Sequence, residues 1–234
     1  MSQRPRYGLA TIASLIVGFL VIAGAHGASV TWISSTSNQP WQTMPSPALA
    51  KPQPNVPPDV RVAPERTFQV IDGFGGCFNE LGWVALNQAS KADCDRVLSA
   101  LFGDEGCAFT MGRIPIGASD FATNAYSLDD TSGDLSLTNF SIARNEQCLI
   151  PFVKSAMAVR PALQCWGSAW SPPAWMKTNT NYSKGSLTWE PAILHSYATY
   201  LARWVEAYRK AGVKVFAVFT QNEPNILSAY PSCL

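Results

Sequence analysis

An apolar run that stops at a carboxylate constrains this chain more than any other feature. Val213-Lys214-Val215-Phe216-Ala217-Val218-Phe219-Thr220 is β-branched and aromatic with one charge, and it closes on Gln221-Asn222-Glu223-Pro224. Such a run reads as a buried strand. A glutamate just past its end stands in a loop at the mouth of a sheet or barrel, where parallel α/β folds collect their chemistry.

The segments before it alternate in the same way. Phe68–Phe74 reads as a strand running into Gly73-Phe74-Gly75-Gly76, which reads as a tight turn. No helix start follows closely enough to make that turn a phosphate cradle. Ser90-Lys91-Ala92-Asp93 resembles a capping box that opens a helix with Val97, Leu98, Leu101 and Phe102 on one side and Gly103 as its stop. Phe109–Ile116 and Leu163–Ser168 read as further strands, and Pro151–Val159 as a helix with proline in its first turn. Pro191–Ala211 is the strongest helix. Ile193, Tyr197, Leu201, Trp204, Val205 and Tyr208 recur at three- and four-residue spacing, Arg209 and Lys210 occupy the last turn, and Gly212 follows. Four strands alternating with helices predict a parallel sheet or barrel.

The N-terminal part is organised differently. Residues 1–27 have the pattern of a secretory signal: Arg4 and Arg6, then an apolar stretch from Leu9 to Ala25, then Ala25-His26-Gly27 before a cut at Ala28. The alternative is a retained anchor, since the stretch is close to the roughly 17-residue lower limit of a span. Residues 28–67 form a proline-rich segment with eight prolines between Asn38 and Pro64, an irregular or extended cover. Val30-Thr31-Trp32-Ile33 and Val60-Arg61-Val62 are its candidate strands. Residues 68–234 then carry the βα alternation.

Composition narrows the function. A net charge of +1 with no basic run past the first few residues argues against nucleic acid or an acidic membrane surface as partner. Two histidines and no CxxC make a histidine–cysteine metal site unfavoured, and nothing in the chain calls for a cofactor. Six cysteines, Cys77, Cys94, Cys107, Cys148, Cys165 and Cys233, permit disulfides in an exported chain without choosing among pairings. Cys77, Cys107 and Cys165 read equally well as small buried residues. Asn139-Phe140-Ser141 and Asn181-Tyr182-Ser183 are acceptor sequons that matter only in a glycosylating host.

In a barrel, the four strand ends converge on one face. They bring together Glu223, Asn222, Arg113, Asp120 and Trp170. That mixture suits a sugar: carboxylate and amide for hydroxyls, an aromatic ring for a pyranose face, and an acid to protonate the leaving oxygen of a glycoside. An arginine nearby favours the ionised form of a second carboxylate.

Taken in series, four strings resemble glycoside hydrolase family 30, the glucosylceramidase and endo-β-1,6-glucanase group, over about Phe68 to Asn225. They are Ile71-Asp72-Gly73-Phe74-Gly75-Gly76; Arg113-Ile114-Pro115 with Ser119-Asp120-Phe121; Trp170-Ser171-Pro172-Pro173-Ala174-Trp175-Met176-Lys177-Thr178-Asn179; and Asn222-Glu223-Pro224. The resemblance implies a (β/α)8 TIM barrel, here about its first four βα units, preceded by a β segment belonging to a side β-sandwich. It implies a retaining enzyme acting on β-glucosides, either glycolipid or β-glucan, with Glu223 as general acid/base. Asn222 then meets the sugar 2-hydroxyl, Arg113 contacts the nucleophile, and Asp120 and Trp170 hold outer hydroxyls. The family nucleophile is a glutamate ending barrel strand seven, so this chain is expected to carry only the acid/base half and to be inactive alone. Glu80 is a weak stand-in, because it leaves strand one. The rival readings are a non-catalytic remnant or sugar-binding half-barrel, and more weakly a membrane-anchored lectin. Membrane contact is expected only through a lipid substrate or an uncleaved leader.

Overall fold

The computed structural model describes residues 29–51 and 54–234; the leader expected at residues 1–27 lies outside them. The chain divides into two compact units after Phe68. In the first, β1 (Trp32–Ser34) pairs antiparallel with β2 (Gln42–Met44). The strand expected at Val30–Ile33 is thus present, starting two residues later and ending one later. Its partner arises inside the proline-rich stretch, in a gap that Pro40 and Pro45 leave free. Val60–Val62 forms no strand and is exposed.

The second unit holds a four-stranded parallel sheet in the order β3 (Gly75–Cys77), β4 (Met111–Ile116), β5 (Gln164–Ala169), β6 (Val215–Phe219). Spatial order follows chain order, as successive right-handed crossovers require when a sheet curls toward a barrel instead of reversing. The helices are α1 (Glu80–Gln88), α2 (Lys91–Phe102), α3 (Ala143–Gln147), α4 (Leu149–Val159) and α5 (Pro191–Lys210).

The first strand corrects the sequence reading. Phe68, Val70 and Ile71 are exposed, and pairing begins only at Gly75. Gly75 and Gly76 belong to the strand and not to a turn. A Cβ on Gly75 would lie 1.7 Å from the Met111 carbonyl oxygen, so close approach to β4 needs a residue without one. Pro115 sits within β4 although proline is excluded from most central strands. It is tolerated because β3 ends at Cys77, opposite Arg113, and leaves no ladder acceptor at that level.

Alternation along β4 and β5 separates two faces. Ile114 and Ile116 are fully buried toward the helices. Arg113, Trp166 and Ser168 share the other face, which is the inside of the curl. Gly167 faces outward because a Cβ there would meet the Trp204 ring at 2.4 Å. Through that gap α5 buries Tyr200, Leu201, Trp204 and Tyr208, of which Leu201 contributes about 1.5–3 kcal/mol by burial.

Local capping rules explain the helix starts. Ser90 Oγ accepts from the Asp93 amide at 3.2 Å and donates to its carboxylate at 2.8 Å, so the serine cap of the predicted box forms, while the shorter Asp93 takes the hydroxyl and not the Ser90 backbone amide. The helix predicted from Pro151 begins at Leu149, which still leaves proline in the first turn. Helix α1 was not predicted. Asn79 caps it through the Gly82 amide at 2.7 Å, and its length of nine residues gives too little periodicity to read.

Candidate active site

Arg113 organises the inner face. Its Nη2 donates to Asn222 Oδ1 at 2.6 Å and to Ser168 Oγ at 2.9 Å. Its guanidinium carbon lies 4.0 Å from the Trp170 ring centroid and 5.1 Å from that of Trp166. Strand register makes this arrangement, since Arg113 lies opposite Trp166 across the β4–β5 ladder. Burial lowers the guanidinium's affinity for its proton, and the negative charges of Asp120 and Glu223 work against that. The group remains a cation. Its Nε is buried without an acceptor.

Glu223 follows directly. The Asn222 amide donates to the Ala169 carbonyl at 2.6 Å, and Gln221 Nε2 donates to the Trp170 carbonyl at 2.8 Å. Tyr197 of α5 donates its hydroxyl to the Thr220 carbonyl at 2.8 Å. The tip of β6 is therefore fixed to β5 and to α5 before the glutamate begins. Glu223 has φ of +44°, a left-handed conformation that costs an L-residue about 1–2 kcal/mol. It also precedes Pro224, which disfavours any departure from extended backbone. Strain of this kind is kept where the surroundings over-determine it, commonly at functional positions. The carboxylate is exposed and accepts from Tyr230 Oη at 2.8 Å and from Asn222 Nδ2 at 3.3 Å.

The remaining expected residues take different places. Trp170 is buried under the Arg113 guanidinium, so the cation already covers one ring face. Asp120 is exposed, and its charge reaches Arg113 and Tyr230 without a side-chain hydrogen bond to either. The structure thus joins Arg113, Asn222, Glu223 and Trp170 by contact and sets Asp120 beside them by charge. Three participants were not singled out from sequence. Ser168 and Trp166 could have been, because each lies an even number of residues from Trp170 on the same strand face. Tyr230 could not, because it arrives through an irregular loop that carries no period.

Glu80 is not a free carboxylate. It is buried, and Arg144 Nε and Nη2 donate to it at 2.7 and 2.8 Å, with the Thr123 amide and hydroxyl at 3.0 and 3.2 Å. Burial pushes its pKa up, but Arg144 and Thr123 outweigh burial and hold it below the ordinary value. Both its oxygens are engaged, and it borders a separate cavity of about 430 Å³ with Trp83, Asn87 and Gln147. A cavity of about 360 Å³ lies along the inner face itself, lined by Gly75, Gly76, Cys77, Met111, Gly112, Arg113 and Trp166.

The cysteines depart from expectation in part. Cys165 is buried, and burial pushes its thiol up to about 11. Cys77 and Cys107 are exposed instead of buried, and among the described residues all six cysteines are free. Among the described residues no cluster of three or more His, Cys, Asp or Glu could hold a metal ion, and no helix is long and apolar enough to cross a membrane.

Residues 71–231 match the glycosyl hydrolase family 30 TIM-barrel domain. Lysosomal acid glucosylceramidase of Mus musculus is 33% identical over 180 residues, covering 73% of this chain and 35% of that protein. Endo-1,6-beta-D-glucanase of Neurospora crassa is 32% identical over 161 residues, covering 67% of this chain and 34% of that protein. Among solved structures, SrfJ from Salmonella typhimurium superposes with a TM-score of 0.72 at 32% identity, covering 86% of this chain and 45% of that one. The endo-beta1,6-glucanase BT3312 superposes with a TM-score of 0.66 at 29% identity, covering 73% and 39%. The chain spans about a third of the length of these curated relatives.

Proposed function

Because the chain belongs to glycosyl hydrolase family 30, we propose that it forms part of a retaining β-glycosidase of glucosylceramidase or β-1,6-glucanase type, with Glu223 as general acid/base. The observation that carries this reading is the strained, exposed Glu223 held at the tip of β6 beside an Asn222 that Arg113 grips at 2.6 Å. The relatives named for glucosylceramide and β-1,6-glucan hydrolysis support a β-glucoside as substrate.

The chemistry needs one proton delivered to the glycosidic oxygen as the bond to the anomeric carbon breaks. Glu223, reached from solvent, supplies it, and takes a proton from water in the second step. Asn222 Nδ2 donates one hydrogen to Glu223 and has a second to offer a sugar 2-hydroxyl while its Oδ1 stays on Arg113. Arg113 puts a fixed positive charge where a second carboxylate, about 5 Å from the first, must remain ionised. Asp120 accepts from outer hydroxyls, and the Trp170–Arg113 stack forms the floor beneath them. No cofactor or metal enters the scheme. A leader at residues 1–27 would deliver the protein outside the cytoplasm, with membrane contact limited to a lipid substrate or an uncleaved leader.

A second reading, a sugar-binding half-barrel without turnover, is favoured by one observation: among the described residues β3 and β6 each pair on one side only. Aryl β-glucoside hydrolysis separates the two. The 234-residue chain should be inactive, and a frame-extended polypeptide should release the β-anomer first, as seen by proton NMR. A frame-extended polypeptide that binds glucose but releases no aglycone supports the second reading.

A further inference from the structure

Lys177 is the one lysine among the described residues that is buried, at 2% exposure, and it forms no ion pair with a carboxylate. All three of its ammonium donors are used. Nζ donates to Ser171 Oγ at 3.1 Å, to the Tyr182 carbonyl at 2.9 Å and to the Ser232 carbonyl at 2.6 Å. Burial pushes its pKa down to about 8, so the group is charged at neutral pH. A buried cation without a counter-ion is expensive. A methionine would fill much of the same space but would leave the Ser232 carbonyl without its donor and take one donor from the Tyr182 carbonyl.

What the ammonium joins is informative. Ser171 follows Trp170 directly in the loop after β5. Ser232 belongs to the segment after Glu223. The same segment is tied to the 182–185 turn by the Ser232 amide to the Tyr182 carbonyl at 2.9 Å and by the Leu234 amide to the Gly185 carbonyl at 2.8 Å. Ser183 Oγ adds a bond to the Ala229 carbonyl at 2.9 Å. Between Ala229 and Ser232 stands Tyr230, whose hydroxyl holds the Glu223 carboxylate at 2.8 Å. Pro231, Ser232 and Cys233 are buried around this junction, whereas Glu223 to Leu227 are exposed.

We propose that Lys177 is a positioning residue that locks the 228–234 segment to the loop after β5, and through Tyr230 fixes the Glu223 carboxylate. This rests on the reading of Glu223 as proton donor. Lys177 touches neither substrate nor reacting atoms. It acts by giving the strained glutamate a single hydroxyl partner at a fixed place.

The test has two readouts. In Lys177→Met, backbone hydrogen exchange of the 234-residue chain should accelerate by about tenfold or more at Ser232 and Leu234, which lose a charge-assisted support, with Ile114, Ile116 and Gly167 unchanged. In the frame-extended polypeptide, kcat/KM for methyl β-glucoside should fall at least about tenfold more than for dinitrophenyl β-glucoside, since only the poor leaving group needs the proton. Ser183→Ala, which removes one neutral bond of the same junction, should shift both readouts in the same direction by less, and serves if Lys177→Met does not fold. Unchanged exchange at Ser232 and Leu234, or equal acceleration across β4 and β5, overturns the proposal, as does an equal fall on both glucosides. Should Glu223→Gln itself spare methyl β-glucoside, the acid/base reading fails instead, and exchange alone decides whether Lys177 locks the segment.

Discussion

Arg113 Nη2 lies 2.6 Å from Asn222 Oδ1, joining the second strand of the parallel sheet to the tip of the fourth across 109 residues of chain. The bond fixes the amide one residue before Glu223, and the guanidinium that makes it is stacked on Trp170 at 4.0 Å. Lysine offers neither the planar stack nor the fork. Arg113→Lys should lose about 1–2 kcal/mol from the stack and one directed bond. Differential scanning calorimetry should therefore show Tm lowered by roughly 3–6 °C for a unit of this size.

The Glu80–Arg144 pair predicts an acid limit. Glu80 has a folded pKa below its ordinary 4.5, so its contribution is fully present above that value. It is lost as pH falls through the lower folded value. Urea titrations at pH 7 and pH 3 should show a stability loss on acidification that Glu80→Gln reduces. At pH 7, Glu80→Ala should cost about 3 kcal/mol, because it strands the Arg144 cation in a half-buried site.

Gly167 tests the packing of the sheet against α5. An added Cβ would sit 2.4 Å from the Trp204 ring. Trp204 is fully buried and cannot swing away. Gly167→Ala should cost about 1–3 kcal/mol by overpacking, read as a lower urea midpoint with an unchanged slope. The double variant Gly167→Ala with Trp204→Leu should recover part of that loss if the ring is the obstacle.

Much of this architecture was legible from residue pattern. Strands β4, β5 and β6 and helices α2, α4 and α5 lie within two residues of their predicted ends, since each carries an apolar period or a cap that local physics reads directly. Strand β6, however, is not the buried strand its apolar run predicts: Phe216 and Phe219 are exposed, because among the described residues no strand pairs on its outer side. The family and its barrel followed from four strings in order. The first barrel strand was misplaced because apolar residues mark burial, and here the paired segment is Gly75-Gly76-Cys77 while Phe68, Val70 and Ile71 are exposed. Glycine was needed for contact with the Met111 backbone, and contact of that kind leaves no hydrophobic signal. Helix α3, with five residues, was too short to show a period. Within the site, the resemblance gave Asn222 a sugar hydroxyl and Arg113 a nucleophile as partners. Their direct bond depends on the register of three strands, which sequence spacing does not specify. Tyr230 and the Lys177 junction depend on loop paths alone.

The central claim is that Glu223 donates the proton. It is tested most directly by comparing Glu223→Gln with its parent, in the frame-extended polypeptide, on methyl β-glucoside and on dinitrophenyl β-glucoside. The account predicts that bond cleavage in the methyl glucoside falls by about 10²–10⁴-fold, while formation of the glycosyl intermediate from the dinitrophenyl glucoside stays close to the parent rate. Near-parental hydrolysis of the methyl glucoside by Glu223→Gln would contradict it.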